Sequence, residues 1–310
     1  MIDGRPAVLV LMGGPDAEHE VSLMSGRQVA QALRDSTRYE VIEQVIDQPT
    51  VADLQYLPAD VVFPVLHGPW GEGGPLQEVL ELLGLPYVGS GPRAAAVAMD
   101  KPATKSIVRS AGVRCPTDRR LEAGQPCPLD LPLVLKPIDD GSSIDLHICR
   151  TGEQLDAARA QLHPRRGPIM AEQFIAGREV TAGIVCGQAT PLVEIIPSRE
   201  VAFYDYQAKY VRNDTRYEID PELPPGAAQE CTEAAVTAFS LLGCRDVARA
   251  DFIVNDEGAW FLEINTMPGF TTHSLLPMAT RRDCDMPSLC SRLVESAMAR
   301  MEAQAPATHG

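Results

Sequence analysis

The chain has 310 residues, 45% of them hydrophobic and 22% charged, a composition that excludes disorder and suits two or three domains with separate cores. Lys and Arg number 27 against 42 Asp and Glu, a formal net charge of -15, which argues against nucleic acid or an anionic membrane as partner; an anionic substrate must meet a local cluster of Lys, Arg or metal. No run reaches the ~18 apolar residues of a membrane span, residues 1–6 offer no apolar leader, and the eight cysteines form no C-x-x-C pair or zinc spacing, so a reducing cytoplasm is the expected location.

Residues 6–12 are a continuous apolar run, followed by Gly13-Gly14 and a predicted helix from Val21 to Leu33. A buried strand, a glycine turn and a helix open an α/β domain. Strands are predicted at 39–46 and 60–66, and a helix at Pro75 to Leu83, with Pro at its start and Gly84 past its end. The first domain is expected to be 1–100. In 101–180 the pattern predicts a helix at 102–111, a Pro-rich connector from Cys115 to Pro132, and a strand from Leu133 to Lys136. A glycine loop at 141, a helix at 153–162 and a strand at 168–174 follow. In 181–310, with a boundary strand beginning at 178, two β-rich runs flank Cys186-Gly187. Residues 197–224 form a long polar, aromatic, Pro-rich stretch, followed by a helix at 226–242 and a hairpin at 246–264.

That last hairpin carries the sharpest chemical signal. Its strands flank the turn Asn255-Asp256-Glu257-Gly258. Symmetric pairing sets Asp251 opposite Glu263 and Arg249 opposite Asn265, all four on one face. Phe252, Val254, Trp260, Leu262 and Ile264 then form the core face. Opposed carboxylates repel, and a divalent cation between them reverses that sign. The oxygen donors favour Mg²⁺ over zinc. The pattern alone leaves two readings open, a metal site or a solvated polar face.

Lys136-Pro137 and the loop around Gly141-Ser142-Ser143 follow a buried strand, a place where backbone N–H groups can cover phosphates. No Walker A motif or G-x-G-x-x-G turn is present. His67 ends an apolar strand, where open α/β sheets hold ligands.

These pieces occur in one order along the chain: Gly13-Gly14, Glu18-His19-Glu20-Val21-Ser22, His67-Gly68-Pro69-Trp70-Gly71-Glu72 and Met99-Asp100-Lys101. Lys136-Pro137, Gly141-Ser142-Ser143, Phe203 through Tyr210, and Glu263-Ile264-Asn265-Thr266-Met267-Pro268-Gly269 follow, then Thr272-His273-Ser274-Leu275. Together they resemble the D-alanine–D-alanine ligases of the ATP-grasp superfamily. The resemblance implies an α/β ATP-grasp fold of three domains, with nucleotide between the central and C-terminal ones. It implies an ATP-dependent ligase that joins two D-alanines through a D-alanyl phosphate, for peptidoglycan precursors. The alternatives are a D-alanine–D-lactate or D-alanine–D-serine ligase, or a nucleotide-binding relative without catalysis. Tyr210 favours the dipeptide reading, because ester-forming members commonly lack it.

By the same resemblance Asp251, Glu263 and Asn265 would hold two Mg²⁺ ions, with Mn²⁺ as a substitute and K⁺ as an activator. Lys101, Lys136 and Lys209 would meet ATP phosphates under a cover of Ser142 and Ser143. Phe203, Glu172, Phe174 and Ile175 would line the nucleotide site and Glu179 would hold ribose. Glu18 would receive the ammonium of the first D-alanine and His67 would lie near its carboxylate. Gly269, Ser274 and Leu275 would seat the second, and Arg249 would stabilise the tetrahedral intermediate. Glu18, Ser142 and Tyr210 would latch a loop over the site. A homodimer is expected. Asp145 stands where the family usually has glycine. Asp139-Asp140 precede the phosphate-covering glycine, where repulsion of ATP is expected.

Overall fold

The structure, a computed structural model, describes residues 4–139, 145–197 and 215–304. Three sheets follow one another along the chain. The first is parallel, with β1 (Ala7–Gly13) between β2 (Glu40–Ile46) and β3 (Val61–Pro64). All seven residues of β1 are buried, which accounts for its unbroken apolar run. Gly13 has φ +102, and a Cβ there would meet the Ile46 carbonyl oxygen at 2.7 Å, so the turn into α1 (His19–Asp35) requires glycine. The short helices α2 (Val51–Leu54) and α3 (Gly68–Gly71) precede α4 (Pro75–Leu83). As expected, α4 starts at Pro75 and ends at a left-handed Gly84.

Next come α5 (Pro92–Met99) and α6 (Lys101–Ser110). Asp100 caps α6 by accepting a hydrogen bond from Ala103 N at 2.9 Å. The second sheet is antiparallel, built from β4 (Asp118–Leu121), β5 (Leu133–Pro137), β6 (His147–Cys149) and β7 (Ile169–Gln173) in the order β4-β7-β5-β6. It packs against α7 (Gly152–Arg166), with Leu121, Leu133, Leu135, Ala158, Leu162 and Ile169 in its core.

The third sheet has β8 (Arg178–Val185), β9 (Gln188–Ile196), β10 (Arg216–Ile219), β11 (Val247–Asn255) and β12 (Gly258–Asn265), in the order β10-β9-β8-β11-β12. One face packs on α8 (Ala227–Leu242), and Ala98 of α5 and Val108 of α6 join the same core. The chain ends through α9 (Leu275–Thr280) and α10 (Met286–Gln304). The latter returns to the first sheet, where Leu289, Leu293 and Val294 pack with Val8, Val10 and Val29. No helix among the described residues is long and apolar enough to cross a membrane.

Three strands differ from the sequence reading: β4 inside the predicted Pro-rich connector, β6 before α7, and β10 inside the long polar stretch. Each is an edge strand of three or four residues, too short to show a period.

The β11–β12 hairpin pairs as expected at its open end, Arg249 with Asn265 and Asp251 with Glu263. Between Asp251 and Phe252 the register shifts, and Phe252 pairs with Phe261. This bulge leaves Leu262 as the extra residue and inverts the strand's phase toward the turn. The core face therefore carries Ala259 and Phe261, both buried, and not Trp260 and Leu262. Phe252 and Phe261 meet edge to face at 5.7 Å.

Candidate functional site

The open end of the β11–β12 hairpin lies beside the loop that leaves β3. Here Glu72, Met99, Lys101, Glu263, Asn265 and Thr266 line a cleft. The loop is docked on the chain after β12: His67 Nδ1 donates to the Met267 carbonyl at 3.1 Å, and Thr266 Oγ1 donates to the Glu72 carbonyl at 3.4 Å. Because the carbonyl can only accept, the proton sits on Nδ1, and the buried Nε2 has no hydrogen-bond partner among the described residues. Burial pulls the His67 imidazole below its ordinary pKa, opposed by the charge of Glu18, so the ring is neutral. Glu18, at the start of α1, is also buried. Glu72 accepts from Gly68 N at 3.1 Å; burial first, then the charge of Glu18, push its carboxyl up to about 8.

On the hairpin itself Arg249 grips Asp251 with two nitrogens: Nε to Oδ1 at 2.8 Å and Nη2 to Oδ2 at 2.8 Å. Thr181, opposite Asp251 on β8, donates to the same Oδ1 at 2.7 Å. Lys101 Nζ lies 3.4 Å from Glu263 Oε2. The Asn265 amide oxygen accepts from Met267 N at 2.8 Å and keeps a second lone pair. Among the described residues no group of three or more His, Cys, Asp and Glu side chains gathers as a metal site. The donors that do gather are two opposed carboxylates and one amide oxygen, a hard-oxygen set suited in kind to Mg²⁺. The opposed carboxylates are held by Arg249 on one side and Lys101 on the other.

At the junction of the second and third sheets, Glu172 is the next-to-last residue of β7 and the chain runs through Phe174 and Ile175 to Glu179 on β8. Glu172 lies between Lys136 Nζ, at 2.6 Å, and the ammonium of Lys105. Phe174 stacks under the Arg150 guanidinium at 5.1 Å. After β12, Gly269 sits so close to Ser274 that a Cβ would meet Ser274 Oγ at 2.8 Å. Ser274 Oγ accepts from Thr271 N at 2.9 Å, and the Leu275 side chain is buried with Val193 and Ile195. Any contact that Leu275 makes with a polar ligand therefore falls to its backbone. Ser142, Ser143, Phe203, Lys209 and Tyr210 lie outside the described residues.

The structure thus brings Glu18, His67, Lys101, Arg249, Asp251, Glu263 and Asn265 to one region, and Lys136 and Glu172 to each other. Sequence reasoning missed Lys105, Thr181 and the burial of Glu72. A lysine at helical spacing from Lys101 reads as solvated, and Thr181 shows its use only once β8 is paired with β11. Asp145 carries a further surprise. It has φ +58, and its carboxylate is held by Arg165 Nη2 at 3.0 Å and Arg166 Nη2 at 2.9 Å. Burial alone would raise its pKa; the two guanidiniums outweigh it and hold the group below the ordinary value.

Two family models match the chain: "D-ala D-ala ligase N-terminus" over residues 48–90 and "D-ala D-ala ligase C-terminus" over residues 117–295. The D-alanine--D-alanine ligase of Gluconobacter oxydans is 41% identical over 304 residues, covering 94% of this chain and 99% of that relative. That of Acidiphilium cryptum is 42% identical over 305 residues, covering 95% and 99%. Among solved structures, the D-alanine--D-alanine ligase of Bacillus anthracis complexed with ATP superposes with a TM-score of 0.84 at 28% identity, over 98% of this chain and 100% of that one. With matches at both ends, near-complete coverage of relatives and the ATP-grasp architecture around the Asp251–Glu263 hairpin, the chain belongs to the D-alanine–D-alanine ligase family.

Proposed function

We propose that this chain joins two molecules of D-alanine at the expense of ATP, inside the cytoplasm and as a homodimer, for the construction of peptidoglycan precursors. The observation that carries the reading is the Asp251–Glu263 pair, opposed across two strands and flanked by Arg249 and Lys101, beside the His67–Glu72 loop. The chain works as three units near 1–100, 101–180 and 181–310, with α10 packed back on the first; the nucleotide lies between the second and third.

In the first step a carboxylate oxygen of one D-alanine attacks the γ-phosphorus of ATP, and ADP leaves. In the second, the amine of another D-alanine, its ammonium proton given up to solvent, attacks the acyl phosphate carbon. The carbon–oxygen bond to the phosphate breaks, phosphate leaves with that oxygen and the bonding electrons, and one N–H proton of the adduct passes to solvent or phosphate. Asp251, Glu263 and Asn265 would hold Mg²⁺, which offsets the phosphate charge and acts as a Lewis acid; Mn²⁺ can replace it, and K⁺ is an activator. Lys101 and Lys136 bind phosphate oxygens, and Lys209, Ser142 and Ser143 are assigned to the same phosphates. Glu172, Phe174, Ile175 and Phe203 hold the base and Glu179 the ribose.

Glu18 holds the first ammonium and His67 lies by its carboxylate. Gly269, Ser274 and the backbone at Leu275 seat the second D-alanine. Arg249 faces the oxyanion that develops on amine attack. For that it must share its donors between Asp251 and the substrate, or release the carboxylate to the metal. Glu18, Ser142 and Tyr210 close the site against water, which would otherwise hydrolyse the acyl phosphate.

An acceptor-panel assay tests this reading. With ATP, Mg²⁺ and D-alanine the protein should release phosphate and dipeptide in equal amounts, with D-alanine preferred over D-lactate and D-serine. No D-alanine-dependent phosphate release across varied pH and K⁺ would refute it. A preference for D-lactate or D-serine would move the chain to the corresponding relative of the same fold.

A further inference from the structure

Lys105 lies one turn beyond Lys101 on the buried face of α6 and is fully enclosed. Its ammonium holds Glu172 Oε1, while Lys136 Nζ lies 2.6 Å from Glu172 Oε2. Each oxygen of one buried carboxylate is thus taken by a different lysine, one from a helix and one from the neighbouring strand. Burial alone would raise the Glu172 carboxyl; the two ammonium groups outweigh it and keep the group ionised.

We propose that Lys105 is a positioning residue of the nucleotide site: by staying on Glu172 it lets Lys136 leave that carboxylate for a phosphate oxygen. This rests on the placement of Lys136 and Glu172 at the nucleotide, as proposed above. Without Lys105, drawing Lys136 away would leave a buried carboxylate with no counter-charge, a state that proteins avoid strongly. With Lys105 in place, Glu172 keeps one ion pair and its orientation throughout. The exchange is a side-chain movement: Glu172 and Lys136 sit on hydrogen-bonded strands, so β5 and β7 need not part. Lys105 touches no substrate in this scheme and acts only through Glu172.

The test is calorimetric titration of the full chain with ADP. Wild type, Lys105→Met, Lys136→Met, Glu172→Gln and the Lys105→Met/Glu172→Gln double variant are compared. Lys105→Met is expected to weaken ADP at least tenfold while KM for D-alanine stays within twofold. In the Glu172→Gln background the same change should have no more than a twofold effect, because the charge that Lys105 guards is gone. A structural role alone would lower the melting temperature and leave ADP affinity within twofold of wild type; that result overturns the proposal. Lys105→Gln, which can still donate to Glu172, serves if the Met variant does not fold, with a weakening of at least threefold expected and none contradicting. Wild type that binds no ADP, or a Lys136→Met variant that binds it normally, would instead overturn the nucleotide site itself.

Discussion

Arg249 and Asp251, two positions apart on the same face of β11, form a two-pronged ion pair at 2.8 Å on both arms. The planar fork of the guanidinium matches the carboxylate and fixes both groups. A pair of this kind can serve as a counter-charge or as a donor set poised beside a reacting centre. Arg249→Ala separates the two roles. For a donor aimed at the oxyanion, kcat should fall by about 10²–10³, roughly 3–4 kcal/mol, with ADP affinity within threefold of wild type. Arg249→Lys should not restore it, since an ammonium cannot reproduce the fork. Steady-state kinetics with ADP titration decide; near-normal kcat in both variants would remove the catalytic role and leave Mg²⁺ affinity or stability as the function of the pair.

Asp145, which stands where the family usually has glycine, is clamped by two guanidiniums. Its charge is spent on Arg165 and Arg166, and its φ of +58 shows why glycine is natural there. Asp145→Gly should change KM for ATP by less than threefold. Arg165→Ala/Arg166→Ala, which releases the carboxylate, should raise KM for ATP by about three- to tenfold. Initial rates at varied ATP check both; a strong gain in affinity in Asp145→Gly would show that the clamp does not neutralise the charge.

The bulge between Asp251 and Phe252 predicts which aromatic residue of β12 supports the sheet. Phe261→Ala should cost about 3–5 kcal/mol, the usual loss for a buried phenylalanine. Trp260→Ala, off the core face, should cost about 1 kcal/mol, mostly its stacking with Arg114 at 5.5 Å. Urea unfolding of the two variants measures this directly. Equal losses, or a larger one for Trp260, would mean that the hairpin keeps a single register.

How far the sequence could be read follows from that bulge. The symmetric pairing expected from the turn holds for Arg249 with Asn265 and Asp251 with Glu263 because the irregularity begins only after Asp251. The core face toward the turn was misassigned because one unpaired residue, Leu262, reverses every side chain beyond it. The ends of α4 were legible because Pro75 and Gly84 each fix a backbone angle. Lys105 was not, because its burial depends on a carboxylate brought to it by β7, far along the chain. The edge strands β4, β6 and β10 were hidden for a local reason, being too short to carry a pattern.

Glu72 gives the protein a pH dependence with a definite sign. In the unfolded chain its carboxyl ionises near 4.5, while in the folded protein it holds its proton up to about 8. The folded state therefore binds more protons between those values, and stability falls as pH rises through that window. Glu72→Gln keeps the acceptor for Gly68 N and removes the titration. It should add at least ~1 kcal/mol to stability at pH 8 and almost nothing at pH 4.5. Denaturant unfolding at the two pH values checks it; an equal effect at both would mean that Glu72 ionises normally in the fold.

The most direct measurement follows an oxygen atom. D-alanine labelled with ¹⁸O in its carboxylate is incubated with the protein, ATP and Mg²⁺, and the released phosphate is analysed by mass spectrometry. Ligation through D-alanyl phosphate at the Arg249–Asp251–Glu263 site predicts one ¹⁸O in each phosphate and one dipeptide for each phosphate released. Phosphate without label, formed by water attack on ATP, or phosphate with no dipeptide beside it, would contradict it.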